Sequence, residues 1–252
     1  MTKNIIETIL ERRSVRRYER QAIEEEKKEL IYQAINTSPT SHNGQQFSVI
    51  AIEDQAIKEQ IYELTKQKQI KTCALFLVFV SDYHKMDVFA QSNGINLQPI
   101  QRTLDGILVG AIDATIAMSN ARIMAEGLGL GCCCIGYIRT AAPEALSKLF
   151  KLPEGVAIIC GLTIGYPREI PDKRPKQEQS LFIHHNQYSD EGVAEKLEKY
   201  DDVIGRHNES HTLARYIPWS EQMVAYYEES INKHTMAYFR EQGFDIDKEP
   251  GL

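Results

Sequence analysis

The densest chemistry in this chain lies in Arg12-Arg13-Ser14-Val15-Arg16-Arg17, four arginines in six positions of a protein whose net charge is -6. Like charges crowded this closely repel one another. An anion relieves the crowding, and the planar guanidinium fork suits a phosphate. The plainer reading is a solvated basic turn. A second basic run, Lys173-Arg174-Pro175-Lys176, spaces its cations with a rigid proline. Between them lies the polar loop Ser38-Pro39-Thr40-Ser41-His42-Asn43-Gly44-Gln45-Gln46. Its hydroxyls and amides suit a polyhydroxy chain or the edge of a heterocycle. By itself it is equally a turn rich in turn-forming residues, with His42 an ordinary loop histidine.

The stretch from Gly129 to Arg139 combines glycines with a strand-like run, Cys132-Cys133-Cys134-Ile135, and Gly136 allows a planar group to approach the backbone. Its glycines follow a helix and enter a strand, the reverse of a dinucleotide-binding fingerprint. Consecutive thiols on a strand point to opposite faces, so they cannot converge on one metal ion. His207 and His211 are four apart, but no glutamate follows His207 as in the HExxH pattern. There is no GxSxG nucleophile elbow and no P-loop. Pocket chemistry with no strong protein acid, base or metal points to a cofactor that carries the reaction.

These segments need elements to position them. Hydrophobic spacing predicts helices over 3–11, around Leu30 to Ile35, around Ile57 to Leu64, over 104–128 and over 140–150. Strands are expected at 47–53, 74–81, 132–138 and 156–164, while 83–102 shows no clean period. The 104–128 helix alternates Ile and Leu with Gly106, Gly110, Ala114, Ala117 and Ala121. Small residues around so much of its circumference suggest burial on several sides, as a central helix or the seam of a dimer. An irregular, proline-punctuated extension covers 166–188, followed by helices near 191–201 and 220–242. The irregular alternation favours an α+β fold, a mostly antiparallel sheet flanked by helices. Residues 1–188 are expected to form the core, and 189–252 a helical C-terminal excursion within a single domain.

The chain has 252 residues, 42% of them apolar and 25% charged, which excludes collagen-like and disordered classes. Its acidic balance argues against nucleic-acid binding. No run approaches the roughly 18 apolar residues of a membrane span. No signal peptide is apparent, and five cysteines make a poor disulfide framework. A cytoplasmic protein is expected.

In order along the chain, Glu11 to Tyr18, Thr37 to Phe47, Gly127-Leu128-Gly129-Leu130-Gly131 leading to Ile135-Gly136, Leu152-Pro153-Glu154, and Gly161 to Pro167 followed by Lys173-Arg174-Pro175 resemble the nitroreductase family of flavoproteins. The closer resemblance is to its NADPH-dependent nitroreductase/flavin reductase branch, over about residues 5 to 180. Here Lys176-Gln177 follows Pro175, where the branch has a longer basic motif ending in Leu-Pro. The resemblance implies a homodimer with non-covalent FMN at the interface and NADPH or NADH as hydride donor.

The resemblance also implies roles. Arg12 and Ser14, with Arg174 and Lys176, would hold the FMN phosphate, and Arg13 would also belong to the cofactor site. Arg16 would place a cation by the N1–O2 edge of the ring. Ser41, Asn43 and Gln45 would contact the ribityl chain and ring, and Gln67 the pyrimidine edge. Cys134, Ile135, Gly136, Tyr137 and Ile138 would line the ring near N5. In the C-terminal tail, Arg206 would meet the NADPH 2′-phosphate. No catalytic side chain and no metal are implied. The expected activity is ping-pong, two-electron reduction of nitroaromatics, quinones or related acceptors. The alternatives are a flavin reductase that releases reduced flavin and a flavin-binding dimer without turnover.

Overall fold

The computed structural model describes residues 4–212, 214–231 and 234–246. Four strands form one antiparallel sheet: β1 (Phe47–Ile52), β2 (Leu75–Asp82), β3 (Gly131–Ile135) and β4 (Val156–Gly165), in spatial order β1-β2-β4-β3. The inner strands β2 and β4 are buried along their whole length, as their unbroken apolar runs require of a sheet covered on both faces. The expected α+β architecture is present.

Helices cover the sheet and its ends. They are α1 (Ile5–Leu10), α2 (Glu25–Asn36), α3 (Gln55–Thr65), α4 (Lys68–Thr72), α5 (His84–Ser92), α6 (Leu104–Gly127), α7 (Ile138–Ala141) and α8 (Pro143–Phe150). Helix α6 is capped by Thr103, whose hydroxyl accepts from Gly106 N–H at 3.0 Å. Its face of Gly106, Gly110, Ala114, Ala117 and Ala121 is buried. A side chain at Gly110 would collide with Ser81 on β2, so glycine sets how closely helix and sheet approach. Over eighteen residues the mean hydropathy of α6 is 1.3, enough by length and composition to cross a membrane. The helix is not an unbroken apolar run, since Asp113, Ser119, Asn120 and Arg122 interrupt it.

Other boundaries differ from expectation. The aperiodic stretch 83–102 contains α5 and a turn of 3-10 helix at Ile100–Arg102. The strand expected over 132–138 ends at Ile135, and the chain turns through Gly136 and Tyr137 into α7. Ala142, at φ -158° and ψ 56°, breaks the helix expected over 140–150 into α7 and α8. The first helix was expected to begin at Lys3, which lies outside the described residues.

Residues 4–171 and 234–246 make one compact unit. Its last helix, α11 (Thr235–Glu241), is anchored by Tyr238, whose buried hydroxyl accepts from Ile158 N–H at 2.8 Å. Residues 172–231 make a second unit. It contains α9 (Val193–His207), longer than the helix expected at 191–201, and α10 (Trp219–Ile231). Tyr200 meets Trp219 edge-on at 5.9 Å, and Asp201 accepts from the backbone and hydroxyl of Ser220. The single helix expected over 220–242 is thus two, α10 and α11. His234 between them departs from helical backbone at ψ 39°, and residues 232 and 233 lie outside the described residues.

Candidate functional site

The basic segment is extended and lies along the outer edge of β3. Val15 N–H donates to Cys132 C=O at 2.9 Å, and Ser14 bridges Cys132 in parallel. Tyr18 is buried and donates its hydroxyl proton to Val15 C=O at 2.7 Å, with Thr163 Oγ1 at 2.8 Å. Burial raises the Tyr18 phenol far above its ordinary range, so it acts as a neutral clasp.

Between Arg12 and Arg17 the alternation of extended backbone sorts the arginines, and it ends before Tyr18, which is buried like Val15. Arg13 pairs with Glu11 at 3.5 Å and Arg17 with Glu169 at 3.1 Å, while Val15 between them is buried. Arg12, Ser14 and Arg16 form the other set. Arg12 Nη2 donates to Ser14 Oγ at 3.0 Å, and Arg16 Nη1 reaches Ser14 C=O at 3.5 Å. Among the described residues neither Arg12 nor Arg16 has a carboxylate partner. Both cations face Cys133: burial raises that thiol's pKa, and the Arg16 and Arg12 charges oppose the rise.

The neighbouring end of β3 is open. Cys134 is the one exposed residue of an otherwise buried strand. A side chain added at Gly136 would meet nothing within 4 Å, and Tyr137 is 42% exposed. Ile135 and Ile138 point into the core. A surface that alternates exposed backbone with buried anchors offers a flat, rigid shelf.

The loop from Ser41 to Gln46 is conformationally costly. His42, Asn43 and Gln45 have φ of 52°, 53° and 53°, in the left-handed region that is uncommon for side chains other than those of asparagine, aspartate and histidine. Gln45 N–H donates to Thr40 Oγ1 at 3.1 Å, and Lys85 Nζ donates to Gln45 C=O at 3.0 Å. Ser41 N–H donates to Asp113 Oδ1 at 3.1 Å. Asp113 was not among the residues expected at the site. Its signal is a carboxylate set within the Gly-, Ala- and Ile-rich sequence of α6.

Gln67 is half-buried at the start of α4, its Oε1 accepting from Gln69 Nε2 at 2.7 Å. The other expected residues belong to the second unit. There Arg174 Nη2 donates to Gln222 Oε1 at 2.9 Å, and Lys176 is exposed. Arg206 pairs with Asp202 at 2.8 Å on the solvent side of α9. His207 and His211 stack at 4.5 Å, and burial lowers the pKa of His207. Among the described residues no cluster of His, Cys, Asp and Glu could hold a metal ion.

The Nitroreductase family model matches residues 9–166, and the model for that family's C-terminal domain matches 174–247. The chain belongs to the nitroreductase family. It is 31% identical to the "FMN reductase [NAD(P)H]" of Bacillus subtilis (strain 168), over 97% of this chain and 99% of the relative. Among solved structures it resembles B. megaterium NfrA2, with a TM-score of 0.91 and 32% identity over 98% and 100% of the two chains. It also resembles the NADPH:FMN oxidoreductase from Vibrio harveyi complexed with NAD+, with a TM-score of 0.83 and 26% identity over 96% and 98%. The family expected from the ordered motifs is therefore the observed one.

Proposed function

We propose that this nitroreductase-family protein is an FMN-dependent NAD(P)H oxidoreductase. The carrying observation is the sorting of the basic segment. Arg12 and Arg16 share a face with Ser14, lack an internal counterion, and stand beside the open end of β3. Arg12 with the Ser14 hydroxyl fits a phosphate, Arg16 adds a second cation nearby, and the exposed shelf from Cys134 to Tyr137 fits a planar ring. FMN, when bound, would supply hydride acceptance and donation.

The residues would divide the work. Arg12 and Ser14 bind the phosphate, with Arg13 held back by Glu11. Arg16 supplies positive potential to a ring that gains negative charge on reduction, stabilising it electrostatically. Ser41, Asn43, Gln45 and Gln67 contribute polar contacts to the ribityl chain and ring edge. The shelf Cys134–Ile138 orients the ring by packing. One open face serves donor and acceptor alike, so each binds after the other has left.

Its relatives, an FMN reductase and an NADPH:FMN oxidoreductase, favour free flavin as one acceptor. Nitroaromatics and quinones are the other acceptor class that an open shelf admits.

The active form we propose is a homodimer. Ile5, Ile6 and Leu10 on α1 are 59–62% exposed, and Leu104, Leu108 and Ile112 make an exposed apolar stripe on α6. An apolar groove of about 540 Å³ runs between α1, α2 and α6, lined by Leu30, Ala34, Ile123 and Met124. A second copy of the chain would cover these surfaces. All five cysteines are free, which supports a reducing compartment such as the cytoplasm.

The deciding experiment is anaerobic titration of purified, FMN-loaded protein. Absorbance near ~450 nm, a property of the oxidised cofactor, should fall stoichiometrically with NADPH or NADH. Steady-state double-reciprocal plots at several donor concentrations should be parallel. A protein that takes up no FMN would overturn the reading, and intersecting lines would remove its alternating mechanism.

A further inference from the structure

We propose that Asp113 on α6 is a positioning residue for the flavin-contacting loop, because its buried carboxylate grips the backbone at Ser41, where the loop turns through His42 and Asn43. The inference rests on the FMN reading above and adds a residue whose role is to hold the loop's shape.

Three observations carry it. Asp113 is 1% exposed, and among the described residues no cation pairs with it. An unpaired buried carboxylate is costly to a fold and needs an offsetting gain. Its contact lies on the loop: Oδ1 accepts Ser41 N–H at 3.1 Å, and while burial raises the carboxyl's pKa, the Ser41 and Gln46 N–H groups oppose the rise. Oδ2 is buried with no hydrogen-bond partner among the described residues, which adds to the cost that the grip on the loop must offset.

The loop needs such a grip. His42, Asn43 and Gln45 all sit at positive φ, and strained backbone persists only when its surroundings over-determine it. Asn120 lies about two turns beyond Asp113 on the same face of α6. Its Nδ2 donates to Ser38 Oγ at 2.9 Å. One helix therefore holds the segment at two points, Ser38 and Ser41. The same helix is fixed on the sheet where Gly110 abuts Ser81. The position of Ser41, Asn43 and Gln45 is referred through Asp113 to the rigid centre of the molecule.

The test compares the full-length wild type with Asp113→Leu and Asp113→Asn. Leucine is bulkier than aspartate and removes both acceptors, so a merely structural role predicts a general loss of stability with no preferential effect on the loop. Asparagine keeps one acceptor for Ser41 N–H. Positioning predicts the order wild type, Asn, Leu for FMN affinity, with Kd rising at least ~10-fold for leucine. It also predicts that hydrogen exchange in the ligand-free protein accelerates at Ser41 to Gln46 while the sheet amides keep their protection. Should the leucine variant fail to fold, the asparagine variant carries both measurements. Wild-type affinity and exchange in the folded variants would overturn the proposal. Failure of the FMN reading is distinct, because there the wild type itself binds no FMN.

Discussion

The hydroxyls of Tyr18 and Thr163 stand 2.8 Å apart in the core, joining the end of the basic segment to β4. Tyr18 also holds Val15 C=O at 2.7 Å, so one side chain pins the segment that carries Arg16. Tyr18→Phe would strand these buried polar atoms and should destabilise the fold by about 1–3 kcal/mol. Urea denaturation should show a lower midpoint with an unchanged slope.

Arg12→Ala should weaken FMN binding with little change in apoprotein stability, because among the described residues Arg12 has no carboxylate partner to abandon. A charge-assisted hydrogen bond is worth about 1.5–3 kcal/mol, which corresponds to a Kd raised roughly 10- to 150-fold. Fluorescence titration of apoprotein with FMN measures it. Arg13→Ala, which removes a cation already paired with Glu11, should have the smaller effect.

Arg16→Gln should slow turnover on the order of 100-fold, the usual loss on removing a preorganised electrostatic contact. The reduction potential of bound FMN should fall as well. A variant with wild-type potential would remove Arg16 from the electrostatics of the ring.

Thiol chemistry should single out Cys134. Burial pushes Cys73 and Cys160 up to about 12 and Cys132 well above its usual value, so at pH 8 these remain protonated. Cys134 is also raised by burial but is the one cysteine exposed to reagent. Because its pKa is raised, its thiolate fraction and labelling rate should climb as pH rises past 8. Mass spectrometry after iodoacetamide treatment should find one slow modification, on Cys134, further slowed by FMN.

Leu108→Lys should yield a folded monomer, because Leu108 is 50% exposed and contributes little to the fold of its own chain. Sedimentation velocity distinguishes monomer from dimer. An unmodified protein that sediments as a monomer would refute the dimer.

Much of this was legible in the sequence because the relevant signals are local. Continuous apolar runs located β2 and β4, and small-residue spacing located α6. The basic segment was visible as a cluster, but its division into paired and unpaired arginines depends on which face of an extended strand packs inward. That is set by Val15 meeting the sheet. Asp113 was not legible as a site residue, since its partners lie 72 residues or so back along the chain. Helix α5 was missed because His84–Ser92 exposes Met86, Val88 and Phe89, which blurs the amphipathic pattern. The strand at Cys132 was drawn too long because β-branched and aromatic residues continue past the Gly136 turn.

The sheet ends in two edges, and a lysine or arginine guards each. Lys85 donates to Gln45 and Phe47 carbonyls at the β1 end, and the segment carrying Arg12 and Arg16 lies along β3. Exposed edges recruit strands from other molecules, and charge there is a common deterrent. On the reading proposed above, the cations that would hold FMN would also blunt that edge in the cofactor-free protein. Neutralising Arg12 and Arg16 would lower its solubility before any flavin arrives.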